Sequence, residues 1–321
     1  MSLVFRVAGT EARRVTARHR LLAVLVAVLW GANFLAIHLG LDHMPPLFFA
    51  GLRMLVIAVP TVVFVPRPQV PLRWLIGYGI GFGTLQFVFL FIAMDVGMPT
   101  GLASLVLQAS APCTVLLGAV FLRERLTARQ GIGIGLAVLG LAAIAASRAQ
   151  SAALLPVLLT LCGALGWAFG NLCNRLAAPP KPMHLTLWMC VVPVVPLFAA
   201  SALVEGNGCT SVPTLFTAEG LPGLGALLYV ALLATVVGSG IWTWLMRRYP
   251  AGVVAPYSLL VPVVGIALSA AVLGEQPSVV ELGSAVLIVG GVLLGTPRAI
   301  RTEPDDVVGT EVEPARTRLS W

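Results

Sequence analysis

Residues 21–40 read LLAVLVAVLWGANFLAIHLG, a run with no acidic residue, lysine or arginine. A bilayer core about 30 Å thick is crossed by about 20 apolar residues in a helix, and this run has that length. An arginine-rich start precedes it, as in a signal peptide. The run is too long for a cleaved segment, however, and no small-x-small site precedes Asp42. It therefore reads as a spanning helix. Nine similar stretches follow at 47–66, 74–94, 100–122, 130–147, 153–176, 183–204, 222–245, 252–273 and 279–296. Backbone groups in lipid must be satisfied within their own segment, so each stretch is a helix. The alternation of a membrane β-barrel is absent. The expectation is an all-α membrane protein with ten transmembrane helices.

Composition leads to the same class. Of 321 residues, 58% are hydrophobic and 10% charged, against about 25% charged in a soluble domain. Fifteen of the 33 charged residues lie in 1–20 and 297–321, which leaves 18 across the 276 between. A soluble surface cannot be built from so few. Disorder, nucleic-acid binding and a disulfide scaffold are excluded with it. The net charge of +7 is carried by one lysine, Lys181, and by arginines set mostly in short connections, which is a topology signal. Cys113, Cys162, Cys173 and Cys190 fall in apolar stretches and Cys209 in a polar loop; they form neither a disulfide framework nor a C-x-x-C metal pair. No G-x-x-x-x-G-K-[ST] occurs, so no ATPase motor is built in. Neither a cofactor nor a metal is expected.

Counting Lys and Arg by connection gives 18 on one side and one on the other, with Arg53 inside a helix. By the positive-inside rule both termini are cytoplasmic. The chain also repeats itself. Pro112, Glu124, Gly133 and Gly140 are echoed by Pro262, Glu275, Gly283 and Gly290, and Trp30-Gly-Ala-Asn33 by Trp167-Ala-Phe-Gly-Asn171. Five helices per half is an odd number, so the second half must be inverted. Inverted repeats are a hallmark of secondary transporters, whose site lies near the midplane between the halves.

These residues resemble a known family. Leu29 to Gly40, on through Pro45-Pro46 to Gly51-Leu-Arg53, is similar to the first repeat of the EamA family in the drug/metabolite transporter superfamily. So are Gly101 to Ala109 and Arg123-Glu-Arg-Leu-Thr127. In the second half, Val237-Gly-Ser-Gly-Ile-Trp242 and Ala255 to Gly265 match the same pattern. Pro112-Cys113 departs from the aromatic residues of the family pattern. The subgroup it most resembles is that of amino-acid metabolite exporters, associated with efflux of O-acetylserine and cysteine. The resemblance implies two inverted five-helix repeats (21–147 and 153–296) and a bacterial inner-membrane location. No enzymatic activity is expected, since Ser239 has no intramembrane His or acid near its level to serve as a base. Residues 1–20 and 297–321 are then cytoplasmic segments outside the repeats. An importer or exchanger of another small organic solute is the alternative. The G-x-x-x-G spacings permit a homodimer and serve packing within one chain equally well.

Polar residues at lipid depth are costly and mark cavities. Asn33, Arg53, Gln86 and Gln108 lie six to eight residues from the outer ends of helices 1 to 4, one layer about 9–12 Å deep. Asn171, Ser239 and Ser258 form the mirror layer, five or six residues from the inner ends of helices 6, 8 and 9. The expectation is two half-sites flanking the midplane. Arg53, the only full charge well inside a helix, either pairs with Asp42 or Asp95 or snorkels, or binds a substrate carboxylate through a bidentate pair. Gln86 and Gln108 line a cavity or bond between helices. Trp30, Trp167, Trp242 and Tyr257 are candidate cavity walls, with plain packing as the other reading. Trp74 and Trp188 are interfacial or packing residues, and His38 and His43 structural or solvated. Glu124 and Glu275, at helix ends, cap or pair with neighbours. The glycines of 77–83, with Gly131, Gly133 and Gly135, serve close helix packing. Pro112, Pro262 and the pair Pro193/Pro196 interrupt their helices. The small-molecule substrate and the lipid bilayer are the expected partners.

Overall fold

A computed structural model describes residues 16–295 except 124, 151–153, 207 and 250; among the described residues all regular structure is helical. Nine helices are long and apolar enough to cross a membrane. They are α1 (Ala17–Leu41), α2 (Pro46–Phe64), α3 (Leu72–Asp95), α4 (Thr100–Phe121), α5 (Ala128–Arg148), α6 (Leu154–Ala177), α7 (Pro182–Val204), α8 (Leu221–Arg248) and α9 (Ala255–Leu273). A shorter apolar helix, α10 (Val279–Gly295), closes the series at 17 residues. That is the low end of the roughly 17–25 needed to span. The protein is an integral, multi-pass membrane protein.

Chain chemistry sets the helix ends. Thr16 caps α1 by accepting from the His19 N–H. A capping box opens α10, where Ser278 Oγ and the Glu281 carboxylate each accept the other's backbone N–H. Gly274 ends α9 in the left-handed region at φ 68°, where glycine bears no Cβ penalty. The surface is the reverse of a soluble protein's. Val63, Phe64, Val120, Phe121, Leu203 and Val286 are exposed, while Arg53, Gln86, Ser104, Gln108 and Thr160 are buried.

Small residues let the helices approach. α3 meets α6 where a Cβ on Gly81 would lie 2.6 Å from the Gly170 nitrogen. α4 meets α9 where Gly265 faces Ser104 and Gly101 faces Ser269; α5 meets α10 through Gly133 and Gly291. α1 packs on α8 and α9, α4 also on α6, and α2 on α7. The glycines Gly79, Gly81 and Gly83 pack as expected, against Val192, Gly170 and Pro193. Gly131 and Gly135 do not; nothing lies within 4 Å of where their Cβ would be. Only Gly133 faces α10, because its neighbours two residues away point around the other side of the helix.

Four spans depart from α-helical winding. α3 is π-helical over Gly79–Leu85 and α8 over Tyr229–Gly238. A 3-10 turn runs through Leu107–Ala109 in α4, and another through Ala255–Leu259 opens α9. Pro112 and Pro262 sit just beyond these turns. A proline supplies no N–H to the carbonyl four residues earlier, here Gln108 and Ser258, and the backbone tightens there. Each proline itself lies within continuous α-helix, so the break expected at Pro112 and Pro262 falls one turn earlier. α7 is interrupted by turns at 190–193, ending at Pro193, the first of the expected pair Pro193/Pro196.

Candidate functional site

The irregular segments carry the polar residues. Gln86 and Ser239 each begin the α-helix that follows a π segment, and Gln108, Tyr257 and Ser258 lie within the two 3-10 turns. Wide winding leaves backbone and side-chain groups free to bond sideways, which is why π segments recur at functional sites. In α8 this is visible directly. Ala234 C=O accepts the Trp30 indole N–H at 2.9 Å. Thr235 donates its hydroxyl to Val230 C=O, five residues back, and accepts from Arg53 Nη2 at 2.7 Å. Thr84 in the α3 segment makes the same five-residue back-bond, to Gly79 C=O.

Arg53 lies at the junction of α2, α3 and α8. It is 4% exposed, and its guanidinium rests 3.8 Å from the centroid of the Phe87 ring. Neither acid proposed as its partner reaches it. Asp42 and Asp95 are exposed, and the ion pair found among the described residues joins Arg148 to Glu281. Snorkelling is also absent, since the head group is buried. Arg53 Nε and Nη1 have no hydrogen-bond partner, and two buried acceptors are in the same condition, Gln86 Oε1 and Asn33 Oδ1. Buried donors and acceptors are ordinarily satisfied, so these are exceptions.

An aromatic chain extends from the cation. Phe87 meets Phe82 and Phe91, and Phe82 meets Trp167 at 5.7 Å. On the other side Trp30 stacks on Trp242 at 5.2 Å, and Trp242 and Tyr257 pack against a small cluster of Ala23, Leu245, Tyr249 and Val254. Arg53 and Trp167 thus belong to one connected chain, and Trp30 and Arg53 bond adjacent residues of α8, Ala234 and Thr235. The second layer is not joined in this way. Asn171 donates to Thr114 on α4 at 3.2 Å, Ser258 donates to its own Ala255 C=O, and Ser239 is half-buried. Equal depth does not bring side chains together when they leave their helices in different directions. Gln108 is buried in its 3-10 turn.

Sequence reasoning passed over Thr235, Phe87 and Thr114. A polar residue inside the apolar 229–238 run was a readable signal for Thr235; nothing in the sequence marked Phe87. The structural readings of two others are seen in their bonds. His43 bonds the carbonyls of Leu39 and Glu219, and Trp188 donates to Val65 C=O. Glu275 caps a helix, as detailed below; Glu124 lies outside the described residues. Among the described residues no three His, Cys, Asp or Glu gather as metal ligands.

Comparison with known proteins agrees with this architecture. The chain is 44% identical over 279 residues to a probable amino-acid metabolite efflux pump of Escherichia coli K12, covering 85% of this chain and 93% of that one. A protein of the same name from Salmonella typhimurium is 46% identical over the same length. A probable terminal-alkyne amino-acid exporter of Streptantibioticus cattleyicolor is 28% identical over 284 residues, covering 84% and 91%. A solved structure with 19% identity shares the fold at a TM-score of 0.59, over 87% of this chain and 97% of the other. The EamA-like transporter family matches residues 19–146 and 154–296, and with that match over both halves the chain belongs to this family of membrane transporters.

Proposed function

We propose that the protein is a secondary carrier that exports small amino-acid-like metabolites by alternating access, with O-acetylserine and cysteine at the head of the substrate class. The observation that carries this reading is Arg53. A buried cation without a counter-charge is costly, and this one keeps Nε and Nη1 unpaired, as two other buried polar atoms, Gln86 Oε1 and Asn33 Oδ1, are unpaired. A carboxylate accepting two parallel N–H bonds fits the guanidinium fork. The unpaired amide oxygens of Gln86 and Asn33 are acceptors of the kind an ammonium or hydroxyl group needs. The relatives' names supply the direction of transport and the substrate class.

Two features support the ten-helix inverted repeat. Exchanging α1–α5 with α6–α10 turns the α3–α6 contact into α8–α1 and the α1–α9 contact into α6–α4. The same exchange leaves α2–α7, α4–α9 and α5–α10 in place. The π segments of α3 and α8 and the 3-10 turns of α4 and α9 exchange likewise. In the orientation set by the basic connections, both termini face the cytoplasm and the carrier sits in the bacterial inner membrane.

The test is growth of overexpressing cells on toxic levels of amino acids and their precursors, with the medium analysed by mass spectrometry. Wild type is expected to confer resistance and accumulate substrate outside, and Arg53→Ala at equal membrane abundance to do neither. Wild-type cells indistinguishable from controls across the panel would overturn the substrate class. Export undiminished in Arg53→Ala would overturn the role of the arginine.

A further inference from the structure

We infer that Glu205, Glu275 and Glu281 form the outer gate of the transport cycle, each tying a helix of the second half to its counterpart in the first. This rests on the alternating-access reading above. All six acidic residues among those described, Asp42, Asp95, Glu205, Glu219, Glu275 and Glu281, lie at helix ends or in a loop on one side of the bundle. Three of them reach across. Glu205, at the end of α7, accepts the Leu47 N–H at 2.6 Å and the Phe48 N–H at 3.0 Å, at the start of α2. Glu275, just past α9, accepts the Thr100 N–H at 2.7 Å and the Gly101 N–H at 3.0 Å, at the start of α4. Glu281, in the first turn of α10, pairs with Arg148 at the end of α5.

The chemistry suits a gate. The first N–H groups of a helix have no partner within it, and the helix dipole favours negative charge there. A carboxylate holds two of them while the end is closed, and water can replace it when the end opens. Each such clamp is a charge-assisted contact that can be exchanged. The second and third clamps also close around one chamber of about 130 Å³, lined by Gly101, Arg148, Ser269, Glu275 and Glu281 among others. Its wall is tight, since a Cβ on Gly101 would lie 2.5 Å from Ser269 Oγ and 3.0 Å from Ile266 Cα. Across the opposite side the halves also meet through neutral or imidazole–phenol bonds, Trp188 to Val65 C=O, Asn171 to Thr114 and His19 to Tyr249.

The test reads access without substrate. Ser269→Cys places a small reporter in the chamber of a chain whose five native cysteines are replaced. Its labelling by a membrane-impermeant maleimide is timed in intact cells. Glu205→Gln, Glu275→Gln and Glu281→Gln are each expected to speed labelling about tenfold, the effect of losing one such contact, with folded abundance retained. A control reporter, Thr160→Cys on α6, buried in the bundle, is expected to stay protected. Unchanged labelling at Ser269→Cys in all three variants would overturn the gate and leave the carboxylates as helix caps. Equal acceleration at Thr160→Cys would overturn it too, by showing general loosening. If labelling depends on the clamps while no compound on the panel is exported, the gate stands and the substrate class alone fails.

Discussion

Replacing Arg53 by methionine separates binding from architecture, because the two roles move stability and affinity in different directions. Methionine keeps an unbranched stem of similar reach and removes the charge. Three contributions change in the folded protein. The charged hydrogen bond to Thr235 is worth about 1.5–3 kcal/mol. The stack on Phe87 is worth up to about 2 kcal/mol when desolvated. Against these stands the penalty for burying a guanidinium with no acid beside it, several kcal/mol. Thr235 is not orphaned by the change, since its hydroxyl donates to Val230 C=O. The terms nearly cancel, and Arg53→Met is expected to melt within about 2 kcal/mol of wild type. Affinity does not cancel. Removing one partner of a buried charged pair costs about 2–5 kcal/mol, roughly 30-fold to several-thousand-fold in Kd. The assay is thermal unfolding in detergent at one scan rate, with and without substrate. Ligand at 100 Kd stabilises wild type by about 2.7 kcal/mol, and the variant is expected to gain nothing. If Arg53→Met loses more than about 3 kcal/mol yet is still stabilised by substrate, the arginine is structural and the carboxylate argument is wrong.

Thr235→Val removes the hydroxyl that orients the Arg53 guanidinium and is expected to weaken substrate binding about tenfold, with Thr235→Ser close to wild type in the same melting-shift assay. Gly170→Ala sets a Cβ 2.7 Å from the Phe82 backbone nitrogen, where neither helix can yield cheaply; overpacking of this kind costs about 1–3 kcal/mol and should appear as a lower melting temperature. Cys209 is exposed in the loop after α7. In intact cells it should react with an impermeant maleimide while Cys173 and Cys190, both buried, do not; labelling only after lysis would reverse the assigned orientation.

The spans were legible because lipid leaves the backbone no other solution. A run such as 21–40 has one structural meaning, and α1 covers it at Ala17–Leu41. Depth was legible as well, since counting residues from a helix end places Arg53 and Gln86 well inside. Direction around the helix axis was not. It depends on which neighbour a face meets, and the neighbours are far apart in sequence: Thr235 is 182 residues from Arg53, and Glu205 is 158 from Leu47. The π segments also escaped, because Gly79–Leu85 and Tyr229–Gly238 share only one threonine each, Thr84 and Thr235, among otherwise apolar, small or aromatic side chains, and a single threonine does not mark π winding. They change which residues face inward, and so set the partners of Trp30 and Arg53. Resemblance to the amino-acid exporter subgroup of the EamA family added what spacing cannot give, an expectation of the substrate class.

The gate and the arginine share a helix, and that sharing makes a coupling measurable. The first turn of α2 is held by Glu205 at Leu47 and Phe48, and Arg53 lies six residues further on, about 9 Å along the axis. No proline or π segment separates them, so releasing the clamp tilts the element that carries the cation. Coupling of two equilibria is reciprocal. If bound substrate shifts the open population that labelling of Ser269→Cys reports, releasing the clamp must change substrate affinity in the matching direction, by at most the same coupling factor. Glu205→Gln is the variant that tests it. Its apparent Kd should shift in the direction set by the substrate's effect on labelling and by no more than that ratio, and Arg53→Met should show no substrate effect on labelling at all. A substrate that binds tightly yet leaves the labelling rate untouched has equal affinity for the open and closed ends, and would refute a mechanism in which α2 links them.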